Sequence, residues 1–232
     1  MKLKIDKEFS ERVPLYRAII MEADVENTPT SEQQKQEMDR LAEEIAGKYK
    51  VEEINRIPAI AATRAAYKAC GKDPNRYRPS QEQLHRRIVR GLGLYNVNAL
   101  VDAGNELSLL TGCSVGCFDA DKVKGDTLTL GIGRENEPYE GIGRGVLNIH
   151  GLPVFRDTIG GIGTPTSDNE RTKLELSTRR LLVTIHLFDP EIDPAQTLMI
   201  AKDLLTRHGK ARAVEAALFS LKDSSCMRLK ID

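Results

Sequence analysis

The stretch from Gly91 to Val123, GLGLYNVNALVDAGNELSLLTGCSVGCFDADKV, breaks into three pieces. A Gly-rich lead-in comes first. An amphipathic helix over about 97–111 follows, stopped by Gly112, and then a turn and a short strand, SVGCFD. The helix carries Asp102 and Asn105 among Val97, Leu100, Val101, Leu107 and Leu110. Polar groups on an apolar helix face are costly unless something satisfies them. The two residues therefore read as a buried hydrogen-bond network that positions neighbouring loops, as a pocket floor that contacts a polar ligand, or as both.

Upstream, residues 2–26 read as β structure, with RAIIMEADV as a strand. Ser31 opens a helix whose apolar stripe is Met38, Leu41, Ile45 and Tyr49. A second helix runs from Pro58 to Cys70 and stops at Gly71. Ser80 with Gln83 three residues on reads as a capping box for a helix over 80–90. Downstream, SVGCFD, DTLTLGIG, GVLNIHG and LPVFRD are short β segments separated by turns, and 174–188 holds the clearest buried strand. Asp193-Pro194 starts a last helix that ends at Gly209. The tail after it fits helix or strand equally.

Bulk properties narrow the function classes. The 232 residues carry 34 Lys plus Arg against 34 Asp plus Glu, so charge does not suggest a nucleic-acid coat or a membrane-surface role. No DNA partner is expected, and any RNA contact must come from a local patch. No apolar run approaches the roughly 20 residues of a membrane helix, and the N-terminus has no signal-peptide pattern. Four cysteines without a secretion signal suggest reduced thiols and a cytoplasmic location.

Several motifs have residue types that could carry chemistry. GIG at 131–133 and GIGRG at 141–145 lack dinucleotide-binding or P-loop spacing and read as turns. Cys113-x3-Cys117 has no second pair, and the four histidines are scattered, so neither a metal nor a cofactor is expected. His150 and His186 read as core or edge histidines in apolar strands. RYRPSQEQLHRRIVR (76–90) holds five arginines against Glu82. Guanidinium forks suit phosphate or carboxylate, and Arg78 and Arg87 are assigned to a site, Arg76 and Arg90 to a solvated face. RDTIGGIGTPTSDNERTKL (156–174) crowds Asp157, Thr158, Thr164, Ser167, Asp168, Arg171 and Thr172 around three glycines, and reads as the opposite wall of the same pocket.

These motifs together resemble a known family. NALVDAGNELSLLTGCSVGCFDADKVKGD is similar to the core motif of the B3/B4 domain of the phenylalanyl-tRNA synthetase β subunit, and GGIGTPTSDNERTKLEL to its later Gly-Gly motif. AATRAAYKACGKDPNRYRPSQEQLHRRI resembles the block that precedes the core in freestanding B3/B4-domain proteins. The resemblance spans about 55–190. It implies an α+β fold of the B3/B4 type, a mixed β-sheet flanked by helices. Residues 1–54 would be a strand and helix extension packed on the core and 55–232 the B3/B4-type domain, one continuous domain overall.

The synthetase domain edits tyrosine wrongly attached to phenylalanine tRNA. The resemblance therefore implies an ester-hydrolysing pocket for a tRNA acceptor end, working with water and without metal or cofactor, and without the ATP-binding core of a complete synthetase. Asn105, Gly160 and Gly161 would orient ester and water. Arg78, Arg87, Asp102, Gly116, Ile162, Thr164, Ser167, Asp168 and Thr172 would line the substrate. The family's His before Phe-Asp falls on Gly116, and its Glu after Gly-Gly falls on Ile162. Those two positions favour the alternative, a non-catalytic binder of an amino-acid-like small molecule or RNA on the same fold.

Overall fold

The computed structural model describes residues 1–222 and 225–229. In chain order it runs β1 (Lys2–Ile5), α1 (Lys7–Arg12), β2 (Arg17–Asp24), α2 (Glu32–Lys48), α3 (Pro58–Ala69), α4 (Ser80–Val89), α5 (Ala99–Thr111), β3 (Ser114–Asp119) and β4 (Thr127–Ile132). It continues with β5 (Glu140–Gly141), β6 (Gly145–Val146), β7 (Pro153–Arg156), β8 (Gly161–Gly163), β9 (Arg180–Leu187), α6 (Pro194–Gly209), β10 (Arg212–Ser220) and β11 (Ser225–Leu229).

Two sheets carry the fold. The larger has the order β11-β10-β2-β9-β3 and is antiparallel, while the smaller, β1-β4-β7-β8, is mixed because β1 lies parallel to β4. The expected α+β class is thus what the chain forms. β2, from the first 54 residues, is hydrogen-bonded on both sides: Ile19 pairs with Ile185 of β9 and with Leu218 of β10.

Period-2 alternation explains the layering, because successive strand side chains point to opposite faces. Ile19, Met21, Val183 and Ile185 face α5 and α6, where they meet Leu100, Leu107, Ala201 and Leu204. Ala18, Ile20 and Leu182 face the smaller sheet and meet Leu128, Leu130, Phe155 and Ile162. Each fully buried side chain of this size contributes about 1.5–3 kcal/mol. His186 lies on the second face, fully enclosed, with Nδ1 2.8 Å from the Tyr16 hydroxyl. Burial holds its imidazole down at about 3.

Local signals act as expected at several ends. Ser31 accepts from the Gln34 amide, Gly112 closes α5 at φ 70°, and Asp193 accepts from the Ala195 amide. Other expectations are corrected. Residues 7–12 form α1 rather than β structure, since Asp6 breaks the strand and Phe9 packs into the core. The Ser80–Gln83 capping box does not form: Gln83 Nε2 donates to the Arg78 carbonyl at 2.7 Å, and the Ser80 amide donates to the Pro165 carbonyl at 2.7 Å. His150 is exposed in a turn, not in a strand. The tail pairs as a β-hairpin, β10 with β11.

Candidate functional site

The N-terminus of α5 is closed by its neighbours. The Ala99 amide donates to the Thr28 carbonyl, the Leu100 amide to Asn27 Oδ1, and the Val101 amide to Asn98 Oδ1. Asp102 completes this closure: it is wholly buried, accepts from the Val97 amide at 3.1 Å and takes the Thr30 hydroxyl. Burial raises its carboxyl above the usual range while these bonds pull it back. Asp102 is therefore a joint between α5 and the segment before α2. Asn105, three residues on and about 60° round the helix, lines the neighbouring cleft, which Asp102 does not reach.

Asn105 and Val101, one turn apart, face a cleft of about 510 Å³. Its other walls are α4, the Gly-rich lead-in to α5, and the turns at 142–144 and 166–167. Five arginines line it: Arg78, Arg86, Arg87, Arg90 and Arg144, with no carboxylate among the described lining residues. Leu92, Tyr95, Val97 and Ile142 add exposed apolar surface. The side-chain amide of Asn105 makes no hydrogen bond within the described residues and is free for a ligand.

The arginines are held from below. Glu82 has no exposed surface, and it accepts from Arg64 Nη1 and Arg86 Nε, both at 2.8 Å, with Arg78 Nε at 3.9 Å. Arg87 lies over the Tyr95 ring, 3.9 Å from its centroid, donates to the Tyr95 hydroxyl at 2.9 Å, and keeps a buried Nε with no partner in the described residues. Arg144 Nη2 is fixed by Gln83 Oε1 at 2.6 Å. Positive charge, hydrogen-bond forks and an aromatic face together suit a phosphate-bearing ligand with a base to stack.

Ser167 lines this cleft beside Thr166, whose hydroxyl lies 2.9 Å from the Tyr67 hydroxyl. Thr164 shapes the turn: its hydroxyl oxygen accepts from the Thr166 and Ser167 amides. Asp168 comes next, partly exposed, with Oδ2 accepting from the Cys117 amide at 3.2 Å. Burial pushes its carboxyl up to about 7.

The remaining expected residues lie apart. Gly160 and Gly161 line a second cleft with Arg134, Glu137 and Arg156, which shares no lining residue with the first. The Gly160 amide donates to Asp157 Oδ1 at 3.1 Å, and Asp157 also holds Arg171 through two 2.9 Å bonds. Ile162 and Thr172 have no exposed surface, so neither side chain reaches the cleft. Gly116 faces the core between the sheets, where a Cβ would meet Phe118 at 2.6 Å and Thr184 Oγ1 at 2.9 Å. The Phe118 ring occupies the room a larger residue at 116 would need. Cys113 is buried and Cys117 half-buried, and desolvation pushes both thiols up, Cys113 to about 12.

Sequence reading missed Arg144, Tyr95, Thr166 and Gln83. Arg144 sits in the GIGRG turn and Tyr95 in the glycine-rich lead-in, and only the association of Arg with an aromatic in neighbouring loops hinted at either.

An α+β domain with an arginine-lined cleft beside a central helix is the class this geometry defines. Residues 62–222 match the family model for the B3/4 domain, and the chain belongs to that family. It is 33% identical over 112 residues to the phenylalanine–tRNA ligase β subunit of Bartonella henselae, and 35% identical over 109 residues to that of Bartonella quintana. These matches take in 47% and 46% of this chain but only 14% and 13% of the relatives' own lengths. A solved N-terminal fragment of the phenylalanyl-tRNA synthetase β subunit from Pyrococcus horikoshii aligns over 92% of this chain and 51% of its own, with 14% identity and a TM-score of 0.44. No described helix is long and apolar enough to cross a membrane.

Proposed function

We propose that this domain receives the aminoacylated 3′ end of a tRNA in the arginine cleft and hydrolyses its ester in trans. The observation that carries the reading is the cleft itself, five arginines and the Arg87–Tyr95 stack around the free amide of Asn105. Arginines take the phosphates of the single-stranded end, Tyr95 offers a face to a terminal base, and Asn105 orients the ester carbonyl. Water attacks that carbonyl, the ribose hydroxyl leaves with a proton, and the amino acid departs as its carboxylate. The second proton of that water passes to solvent.

The test is deacylation of a panel of aminoacyl-tRNAs, tyrosine on phenylalanine tRNA included, by the wild type and Asn105→Ala. The expected result is ester loss that the substitution abolishes. Intact esters with the wild type throughout overturn it.

Gly116 and the buried Ile162 favour a second reading, a binder without catalysis, since neither position offers a polar group to a phenol or to water. On that reading the same tRNA ends bind through the arginines and leave uncleaved.

A further inference from the structure

Away from the cleft, three helices each turn one side chain toward a common point. Glu37 comes from α2, Glu106 from α5 and His208 from the last turn of α6, and their ligand-capable atoms all lie within 4.8 Å of one another. His208 Nε2 is 3.3 Å from Glu37 Oε2 and 3.6 Å from Glu106 Oε2. Glu106 is only 6% exposed, and its Oε2 has no hydrogen-bond partner among the described residues. A buried carboxylate oxygen without a donor is costly, and this one is directed at His208.

Arg207 borders the cluster. Its guanidinium bonds Glu37 Oε2 and, at 2.9 Å, Asp203 Oδ2, and lies 3.3 Å from His208 Nε2. An arginine only donates, so Nε2 in that contact is an unprotonated acceptor, and Arg207 is the group that an ion would displace from its lone pair.

We propose that Glu37, Glu106 and His208 bind one divalent transition-metal ion, zinc by preference, with water completing the coordination. Zinc holds nitrogen and oxygen ligands at about 2.0–2.2 Å, which sets neighbouring corners of a tetrahedron about 3.3–3.6 Å apart. Both histidine–carboxylate separations fall in that span. A mixed imidazole and carboxylate set favours transition ions over magnesium or calcium, which take oxygen. Glu37 Oε2 has two lone pairs, so it can bind the ion and keep Arg207 as an outer partner. The Glu37 side chain, 23% exposed, marks the way in, while those of Glu106 and His208, at 7% and 5%, form the enclosed side.

The ion is a clamp rather than a reactant. Glu106 follows Asn105 directly on α5, so a metal tying α5 to α2 and α6 holds Asn105 at its position in the cleft.

The experiment strips the whole chain with chelator and titrates it with Zn²⁺, Mn²⁺ and Mg²⁺ by calorimetry. It follows the melting temperature alongside, and records the visible spectrum with Co²⁺. The expected result is one zinc per chain, a higher melting temperature, and a cobalt spectrum without a thiolate charge-transfer band. Glu106→Gln and His208→Gln should each weaken zinc by at least about tenfold. Glu37→Gln, at the partly exposed position, gives the same readout should the buried variants not fold. Absence of stoichiometric binding, undiminished affinity in the folded variants, or a thiolate band overturns the proposal, and a shared proton then accounts for the Glu106 oxygen.

Discussion

Gly104 of α5 and Cys117 of β3 touch where the helix crosses the strand: a Cβ on Gly104 would stand 2.7 Å from the Cys117 Sγ. Only a bare backbone lets α5 lie this close to the sheet, and Asn105 is the next residue. Gly104→Ala is expected to cost about 1–3 kcal/mol, as overpacking in a close-packed interior does. Adding Cys117→Ala removes the sulfur and should recover part of that loss. A double-mutant cycle by urea unfolding reads the coupling, and additive losses would show that the two residues do not meet.

Glu82 holds two arginines beneath the cleft from a fully buried position. Glu82→Gln leaves the Arg64 and Arg86 charges without their counter-ion. Breaking a buried pair in this way costs about 3–5 kcal/mol. Chemical denaturation of the variant checks it, and a loss below about 1 kcal/mol would mean that solvent screens the pair as at a surface.

His186 and Asp168 give stability opposite slopes with pH. His186 sits at about 3 in the fold, against about 6.5 in an unfolded chain. The unfolded state takes the proton first as pH falls, so this contribution is complete above about 6.5 and is lost as pH falls toward 3. Asp168 has its carboxyl raised to about 7, against about 3.9 unfolded, so its contribution is complete below about 3.9 and is lost as pH rises through 7. Each slope is at most about 1.4 kcal/mol per pH unit. Urea unfolding across pH 4 to 8 should show Asp168→Asn gaining on the wild type as pH rises. Parallel curves would contradict the assignment.

The arginine cleft predicts a salt signature. If Arg87 contacts one phosphate of a single-stranded end, Arg87→Ala should lower the slope of log affinity against log salt by about 0.7. Tyr95→Ala should instead weaken binding by about 1–3 kcal/mol with little change in slope, because stacking releases no counterions. Fluorescence anisotropy with a short CCA-ended RNA separates the two. Equal effects on slope would remove the division of labour between charge and stacking.

Helix ends were legible because their signals are local: Ser31, Gly112 and Asp193 each act on atoms a few residues away. α1 was not, since six residues are too few for a helical period to emerge beside two strands. The hairpin tail was ambiguous because its Ala-rich spacing satisfies either period. At the site, Arg78, Arg87, Asn105 and Ser167 were found from residue type and do line one cleft. Gly160 and Gly161 were grouped with them, and only the pairing of β8 on β7 carries those glycines to a different cleft. The cluster of Glu37, Glu106 and His208 joins three helices distant in sequence, and nothing in their spacing announces it.

The place of β2 has a consequence for how this protein is made. Its two neighbours in the sheet are β9 and β10, from near the other end of the chain. While a ribosome is still translating the middle of the message, β2 has been synthesised with both of its edges unpaired. The larger sheet can close only once residues up to about Ser220 have emerged. Assembly of the larger sheet is accordingly slow to begin, because its first strand must wait for partners made about 150–200 residues later.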